Sequence, residues 1–332
     1  MADRREDEEL VEDKDEVVVE PGSVEEAGVT DFIVVQLRHE ATRGGVPLTR
    51  QKGESGKRKF LAAYYLAYRE MQGRPYYDAA ADKEAVARYY AARRPGELAL
   101  EAHMVEEVVP VCPKALYDRL NALLSSSYRT ARRRIPLWAV VDRQEDGTVR
   151  CAYSGVLIET AGECLRVCKA DEEHVTPQSW HQGSALHPGR DMMQIFVVSK
   201  KANGSRGNRL FGSVPGVKGT ENEGGYVTAN PDPVPVGGSA KLSSLFCPKI
   251  NAGAVARAVL YTLVCYKHTF HRVYFSPQRL EWLVNTAASA PVTLWERHRN
   301  AELARLQGTR NPFIDCPHWS KWVNFDCAFQ PA

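Results

Sequence analysis

Glu173 and His174 stand side by side at the head of the stretch Glu-His-Val-Thr-Pro-Gln-Ser-Trp, which ends at Trp180. About thirty residues later comes Asn203-Gly204-Ser205-Arg206-Gly207-Asn208. These residue types suit hydrolysis of a phosphodiester. Water is a weak nucleophile, and a base that is neutral near physiological pH must take its proton, which suits histidine. Negative charge then grows on the phosphoryl oxygens and on the departing oxygen, and one divalent cation can stabilise both. Mg²⁺ prefers oxygen ligands and keeps several waters, so one carboxylate and one amide oxygen suffice as protein ligands. Glu173, His174 and Asn203, with a nearby arginine to grip the phosphate, supply each part. A bland reading uses the same residues: a surface Glu-His pair, a histidine bonded to a carbonyl, and a polar turn built on Gly204 and Gly207.

The elements that must position these groups read as a strand carrying Glu-His, a loop, a second strand at Met193–Val198, and a short helix carrying Asn203. That order is a ββα unit. Around it the pattern is mostly helical. Leu116, Leu120, Leu123 and Leu124 mark an amphipathic helix from Pro113. A strand is expected at Leu137–Asp142, a hairpin turn at Asp146-Gly147, and a second strand over 149–154 with Val149, Cys151 and Tyr153 on one side. Residues 213–240 are rich in Gly and Pro and predict a long surface loop. A helix capped by Asn251 should bury Val255, Val259, Leu263 and Tyr266. Another should run from Pro291 to Leu306, capped by Ser289 and ended by Gly308.

The charge is unevenly spread. Residues 1–26 hold twelve Asp/Glu against three Lys/Arg, which leaves the remainder at +11 within a chain of net +2. An acidic tail on a basic body suits a polyanionic partner, though a solvated surface would have the same balance. No run of about 18 apolar residues exists to span a membrane, and the first twenty residues look like neither a signal nor a transit peptide. An intracellular protein is expected, with nucleus or organelle left open. The eight cysteines then read mostly as reduced thiols. Cys164 and Cys168 are spaced almost as zinc ligands are, but no second close pair accompanies them.

Three helices are expected between residues 57 and 107: one bearing Phe60, Tyr64, Tyr68 and Met71, one over Asp82–Arg94, and one over Glu97–Val108. With Lys57-Arg58-Lys59, Arg69, Arg88 and Arg93-Arg94 around the aromatic residues, this segment faintly resembles an HMG box, a DNA-bending module. A helical bundle packed on the main domain is the alternative.

From Pro113 to Trp319 the chain resembles the endonuclease I family, nonspecific nucleases with a His-Me finger (ββα-metal) site. Glu173-His174-Val175-x-Pro177-Gln178-Ser179 is similar to the family's E-H-V-x-P-x-S, and Asn203-x-x-Arg206-Gly207-Asn208 to its N-x-x-R-S/G-N. Pro291-Val292-x-x-Trp295-Glu296-x-x-Arg299-Asn300, then Gln307-Gly-Thr-Arg-Asn-Pro-Phe-Ile-Asp315, is similar to P-V-S-x-W-E-x-x-R-N … Q-G-N-R-N-P-F-I-D. Val255-Ala-Arg-Ala258 with Tyr261 also matches. The resemblance implies Glu173 and Asn203 as ligands of Mg²⁺, with Mn²⁺ or Ca²⁺ as substitutes, and His174 as general base. It implies an arginine on the scissile phosphate, with Arg190, Arg206 and Arg209 as candidates and a brace of the turn as the alternative for Arg206, and 5′-phosphate products. Asp191, Asn208 and Arg209 are expected to support the site or touch substrate. The Gln307–Asp315 run is implied to be structural. The family's second-strand D-L-H-N-L-x-P is here Asp191-Met192-Met193-Gln194-Ile195-Phe196-Val197, so its His and Pro are missing.

The expected fold is α+β, a helix-rich nuclease body around the ββα unit. The expected division is an acidic tail (1–50), a helical module that can bind DNA (51–110), the nuclease domain (111–320) and a C-terminal tail (321–332). The expected partner is DNA, with RNA a second possibility, and no membrane. The rival readings are a nucleic-acid-binding protein that has kept this body but lost turnover, and a zinc-stabilised interaction protein built on Cys164 and Cys168.

Overall fold

The computed structural model describes residues 74–92, 112–128, 140–158, 170–181, 189, 191–232 and 243–329. All of them fall in a unit running from Lys52 to Ala332; a separate unit, Met1–Gln51, lies outside them. The acidic tail and the HMG-box-like helices at 57–71 and 97–108 therefore lie outside the described residues.

The architecture is α+β, with seven α-helices and small sheets among the described residues. In chain order the helices are α1 (Ala79–Ala92), α2 (Pro113–Tyr128), α3 (Lys200–Arg206), α4 (Ala252–Cys265), α5 (Pro277–Ser289), α6 (Leu294–Gln307) and α7 (Pro312–Asp315). The strands are β1 (Val149–Arg150), β2 (Leu157–Ile158), β3 (Ala170–His174), β4 (Ile195–Ser199), β5 (Leu210–Phe211), β6 (Thr220–Glu221), β7 (Gly225–Ala229) and β8 (Ser244–Pro248).

Helix α4 is the centre of the core. Ten of its fourteen residues are Ala, Val, Leu or Gly, and every residue from Gly253 to Cys265 is buried. A helix apolar on all sides must be covered on all sides. Accordingly α2, α5 and α7 pack on it. Tyr117 and Asn121 of α2 donate to the carbonyls of Leu263 and Val264 at 2.9 and 2.6 Å. The expected burial of Val255, Val259, Leu263 and Tyr266 is observed. The expected cap is not: Asn251 adopts a left-handed conformation, and its side chain donates to Ala152 O at 3.1 Å instead.

Helix α6 begins at Leu294, later than the pattern suggests. Ser289 ends α5, and Thr293 caps α6 in a reciprocal pair with Glu296. Thr-x-x-Glu satisfies two orphan N–H groups at once, which a serine before Pro291 cannot do. Gly308 ends the helix at φ 80°, as expected. The run from Gln307 to Asp315 then locks the core. Asn311 donates to Arg257 O at 3.0 Å, and its own N–H reaches Asn300 Oδ1 at 2.8 Å. Arg257 in turn pairs with Glu296 at 2.7 Å, with both side chains enclosed.

Two strand expectations need correction. Val140 and Val141 are buried but lie in a wide, π-type helical turn, not a strand, while residues 137–139 of the expected strand lie outside the described residues. Only Val149–Arg150 of the expected 149–154 strand pairs, with β2 after a turn; Gly147 sits at φ 81° in the hairpin expected at 146–147. The larger correction concerns 213–240. The described part of this segment supplies β6 and β7 to a four-stranded sheet in the order β5-β8-β7-β6. Its glycines mark close packing as much as turning. A Cβ at Gly225 would lie 2.2 Å from Cys247 O, and one at Gly224 would lie 3.0 Å from Ala202 Cα.

Helix α1 is the described part of the expected N-terminal module, and it is fastened to the body. Arg310 donates to both Asp82 oxygens, at 2.9 and 3.2 Å, and to Asp315. Tyr90 donates to Asp315 Oδ2 at 2.9 Å. Just before α1, Tyr76 stacks on His298, whose ring nitrogens lie 2.6 and 2.9 Å from the carbonyls of Tyr76 and Val140. The segment expected to be a C-terminal tail is also packed: Phe325, Ala328 and Phe329 are buried, and His268 N donates to Ala328 O.

Candidate active site

Strands β3 and β4 pair antiparallel, with Glu173 opposite Phe196 and His174 opposite Ile195. Helix α3 follows β4 at once, so the expected ββα unit is present. Its helix starts because Ser199 Oγ accepts from Ala202 N at 3.0 Å, and it stops at Gly207, φ 55°. The four residues Ile195–Val198 are all buried. They are held from behind by Asp142, which accepts from Val197 N at 2.7 Å and pairs with Arg299.

Alternation along β3 sends Asp171 and Glu173 to one face. Helix α3 lies over that face. Asn203 Nδ2 donates to Asp171 Oδ2 at 3.1 Å, and Arg206 Nη1, one turn on, donates to Glu173 Oε1 at 2.8 Å. A carboxylate only accepts, so the NH₂ of Asn203 faces Asp171 and its Oδ1 is turned elsewhere. Glu173 is 6% exposed and receives a second hydrogen bond, from Tyr153 at 3.1 Å, again on Oε1. Oε2 takes neither bond. Burial pushes the Glu173 carboxyl up, while Arg206, the hydrogen bond from Tyr153 and the charge of nearby His174 pull it down.

His174 is half-buried at the end of β3. Its Nε2 lies 3.1 Å from Gly189 O. A carbonyl cannot donate, so Nε2 carries the proton and the lone pair of the neutral ring is on Nδ1.

The arginine candidates separate. Arg206 is fully buried. Besides Glu173 it donates to the carbonyls of His174 and Val175, and its guanidinium lies over Trp180 and Phe211. Its grip on a phosphate is therefore corrected in favour of the brace: enclosed, with both terminal nitrogens donating, it holds the end of β3. Arg209 is partly buried and donates to Ser205 O and to Ser244 Oγ. Arg190 lies outside the described residues. Asp191 is 1% exposed and accepts from Tyr261, Tyr266, Gln307 and Met193 N, so it anchors the backbone beside Gly189 and has no surface for substrate. Asn208 is half-buried, with an Oδ1 that is enclosed and meets no donor.

Two contributors were not singled out from the sequence, Tyr153 and Asp171. A signal for each existed. A tyrosine on the buried side of a strand needs a partner for its hydroxyl, and Asp171 precedes Glu173 by two residues and so shares its face. Cys164 and Cys168 lie outside the described residues. Among those described, no three His, Cys, Asp or Glu side chains converge as a metal site, and all six cysteines are free thiols. No described helix is long and apolar enough to cross a membrane.

The two-stranded ribbon β3–β4 and the short helix α3 carry the acid, imidazole and amide groups on one ββα unit set against a helical body. Residues 137–318, more than half of the chain, match the family model for endonuclease I. The chain belongs to the endonuclease I family, and it is a hydrolase of the nuclease type. A comparison with curated proteins finds no match.

Proposed function

We propose that this protein is a divalent-metal-dependent endonuclease, with Mg²⁺ as the working ion, that cuts DNA, and RNA as a second substrate, with little sequence preference at a His-Me finger site. The observation that carries this reading is the His174 ring, aligned by its hydrogen bond to Gly189 O at the end of the strand that bears Glu173. The residues present fit a hard cation: Glu173 Oε2 takes neither of the hydrogen bonds on that carboxylate, and Asn203 Oδ1 is turned away from Asp171. Glu173 and Asn203 would hold the ion. When bound, it would supply positive charge to the phosphoryl and departing oxygens.

The chain's own groups do the rest. His174 Nδ1 takes the proton of the attacking water. Its Nε2–H stays on Gly189 O, which keeps the ring in one tautomer and orientation through the step. Water attacks phosphorus in line with the 3′ oxygen, which leaves and takes a proton from solvent water while His174 returns its proton to solvent, so one end carries 5′-phosphate and the other 3′-hydroxyl. With Arg206 enclosed and Arg209 tied to α3 and β8, the grip on the phosphate falls to Arg190, between Gly189 and the anchored Asp191.

Incubating plasmid with the protein and Mg²⁺, with and without EDTA, tests the proposal. Nicked and linear products that vanish with EDTA are expected. Binding without cleavage at any Mg²⁺ or Mn²⁺ concentration would favour the rival reading, a nuclease-like binding protein, for which Met193 in place of the family's histidine is the supporting feature.

A further inference from the structure

We infer that Tyr153 is a positioning residue for Glu173: with Arg206 it holds Oε1 and so commits Oε2 to the metal ion. The inference rests on the proposal that Glu173 is a metal ligand.

The hydroxyl of Tyr153 has little choice of direction. The residue is fully buried, and its ring packs against Phe246 and Phe211 with centroids 5.3 and 6.1 Å apart. Its backbone is fixed on both sides. Ala152 N donates to Val197 O of β4 at 3.0 Å, and Tyr153 O accepts from Ile250 N at 3.0 Å. A ring held in this way aims its O–H at one point, and that point is Glu173 Oε1, 3.1 Å away. Arg206 Nη1 reaches the same oxygen at 2.8 Å.

Two donors on one oxygen of a carboxylate fix the plane of the group as well as its direction. A carboxylate held at Oε1 can rotate neither to chelate a cation with both oxygens nor to turn its free oxygen into the core. Mg²⁺ and Mn²⁺ favour single oxygens in near-octahedral positions, so a carboxylate already fixed as a one-oxygen ligand loses less freedom on binding. The donor types also matter. Arg206 offsets the charge of a buried carboxylate, and a second cation there would compete with the metal. The phenol orients without adding charge.

The test uses the full chain with Mn²⁺ as the probe, titrated by calorimetry or by the loss of the free-ion spin-resonance signal. Wild type, Tyr153→Phe, Glu173→Gln and Phe313→Leu are compared, and thermal unfolding is followed in EDTA. Hydrogen bonds to metal-ligating carboxylates typically matter 10–100-fold in affinity. Tyr153→Phe is expected to weaken Mn²⁺ binding by about 10-fold, with DNA binding in EDTA unchanged. Glu173→Gln should weaken it further. Phe313→Leu, a core substitution at a buried ring packed on Phe325, should lower the unfolding temperature and leave the Mn²⁺ affinity of the folded protein near wild type. Wild-type affinity in Tyr153→Phe, with Glu173→Gln impaired, would overturn the role of Tyr153 alone, and so would an equal loss in Phe313→Leu. Affinity indifferent to Glu173→Gln would overturn the ligand assignment and this inference together.

Discussion

Arg206 and Glu173 form an ion pair of 2.8 Å in which the two side chains are 1% and 7% exposed. Charges so enclosed depend on each other, because removing one leaves the other without water or counterion. Arg206→Met should therefore destabilise the protein by about 3–5 kcal/mol. Denaturant unfolding in EDTA measures this. The salt dependence of DNA binding should not change, since an enclosed arginine makes no phosphate contact. A stable Arg206→Met variant with a smaller salt slope would return this residue to the phosphate.

His174→Ala should lower the cleavage rate by about 10²–10⁴-fold, the usual worth of a general base. The side chain is only half-buried and makes one hydrogen bond, so the unfolding temperature and DNA affinity should hold. A variant that cuts plasmid at the wild-type rate would remove His174 from the mechanism.

Burial raises the Glu173 carboxyl above its ordinary 4.5. In the unfolded chain the group ionises at the ordinary value. Above the raised folded value both states are ionised, and the full cost of burying the charge falls on the folded state. As pH drops through the raised value the folded form takes up a proton first and gains stability, and the gain is complete below 4.5. Glu173→Gln lacks this dependence. The stability of metal-free wild type relative to Glu173→Gln should thus improve as pH falls toward 4.5, measured by denaturant titrations in EDTA. A difference that is flat with pH, or that worsens on acidification, would show that Arg206 outweighs the burial.

Asp82 reaches from α1 to the buried guanidinium of Arg310, with its own side chain 10% exposed. Hydrogen bonds to charged groups are worth about 1.5–3 kcal/mol. Asp82→Ala should destabilise the whole unit by about that amount, because Arg310 keeps only Asp315. Removing residues 1–110 takes away Asp82, Tyr90 and Tyr76 together, so the shortened chain should unfold at a lower temperature than Asp82→Ala. Equal unfolding temperatures for wild type and the shortened chain would mean that α1 does not brace the body.

Much of the site could be read along the chain because its parts are local. Glu173 and His174 are adjacent, Asn203 and Arg206 share one helical turn, and the ββα unit that carries them spans a short stretch from Ala170 to Arg206. Strand alternation and helix periodicity are properties of neighbouring residues, so residue types and spacing suffice to place them. The same holds for the left-handed stop at Gly308 and the apolar residues of α4.

The tertiary structure decided what depends on residues far apart. In the sequence Arg206 could hold a phosphate or brace the turn; its enclosure by Glu173, Trp180 and Phe211 decides for the brace. Tyr153 reaches Glu173 across 20 residues, and Asp82 reaches Arg310 across 228. The Gly- and Pro-rich 213–240 segment read as a loop, because glycine signals a turn and a close approach alike. The neighbour that distinguishes the two, Cys247 O against Gly225, comes from another strand. Local pattern reports conformation and chemistry type, whereas burial and pairing are set by whichever distant surface folds against a residue, and that is why the same arginine or glycine reads one way in the chain and another in the fold.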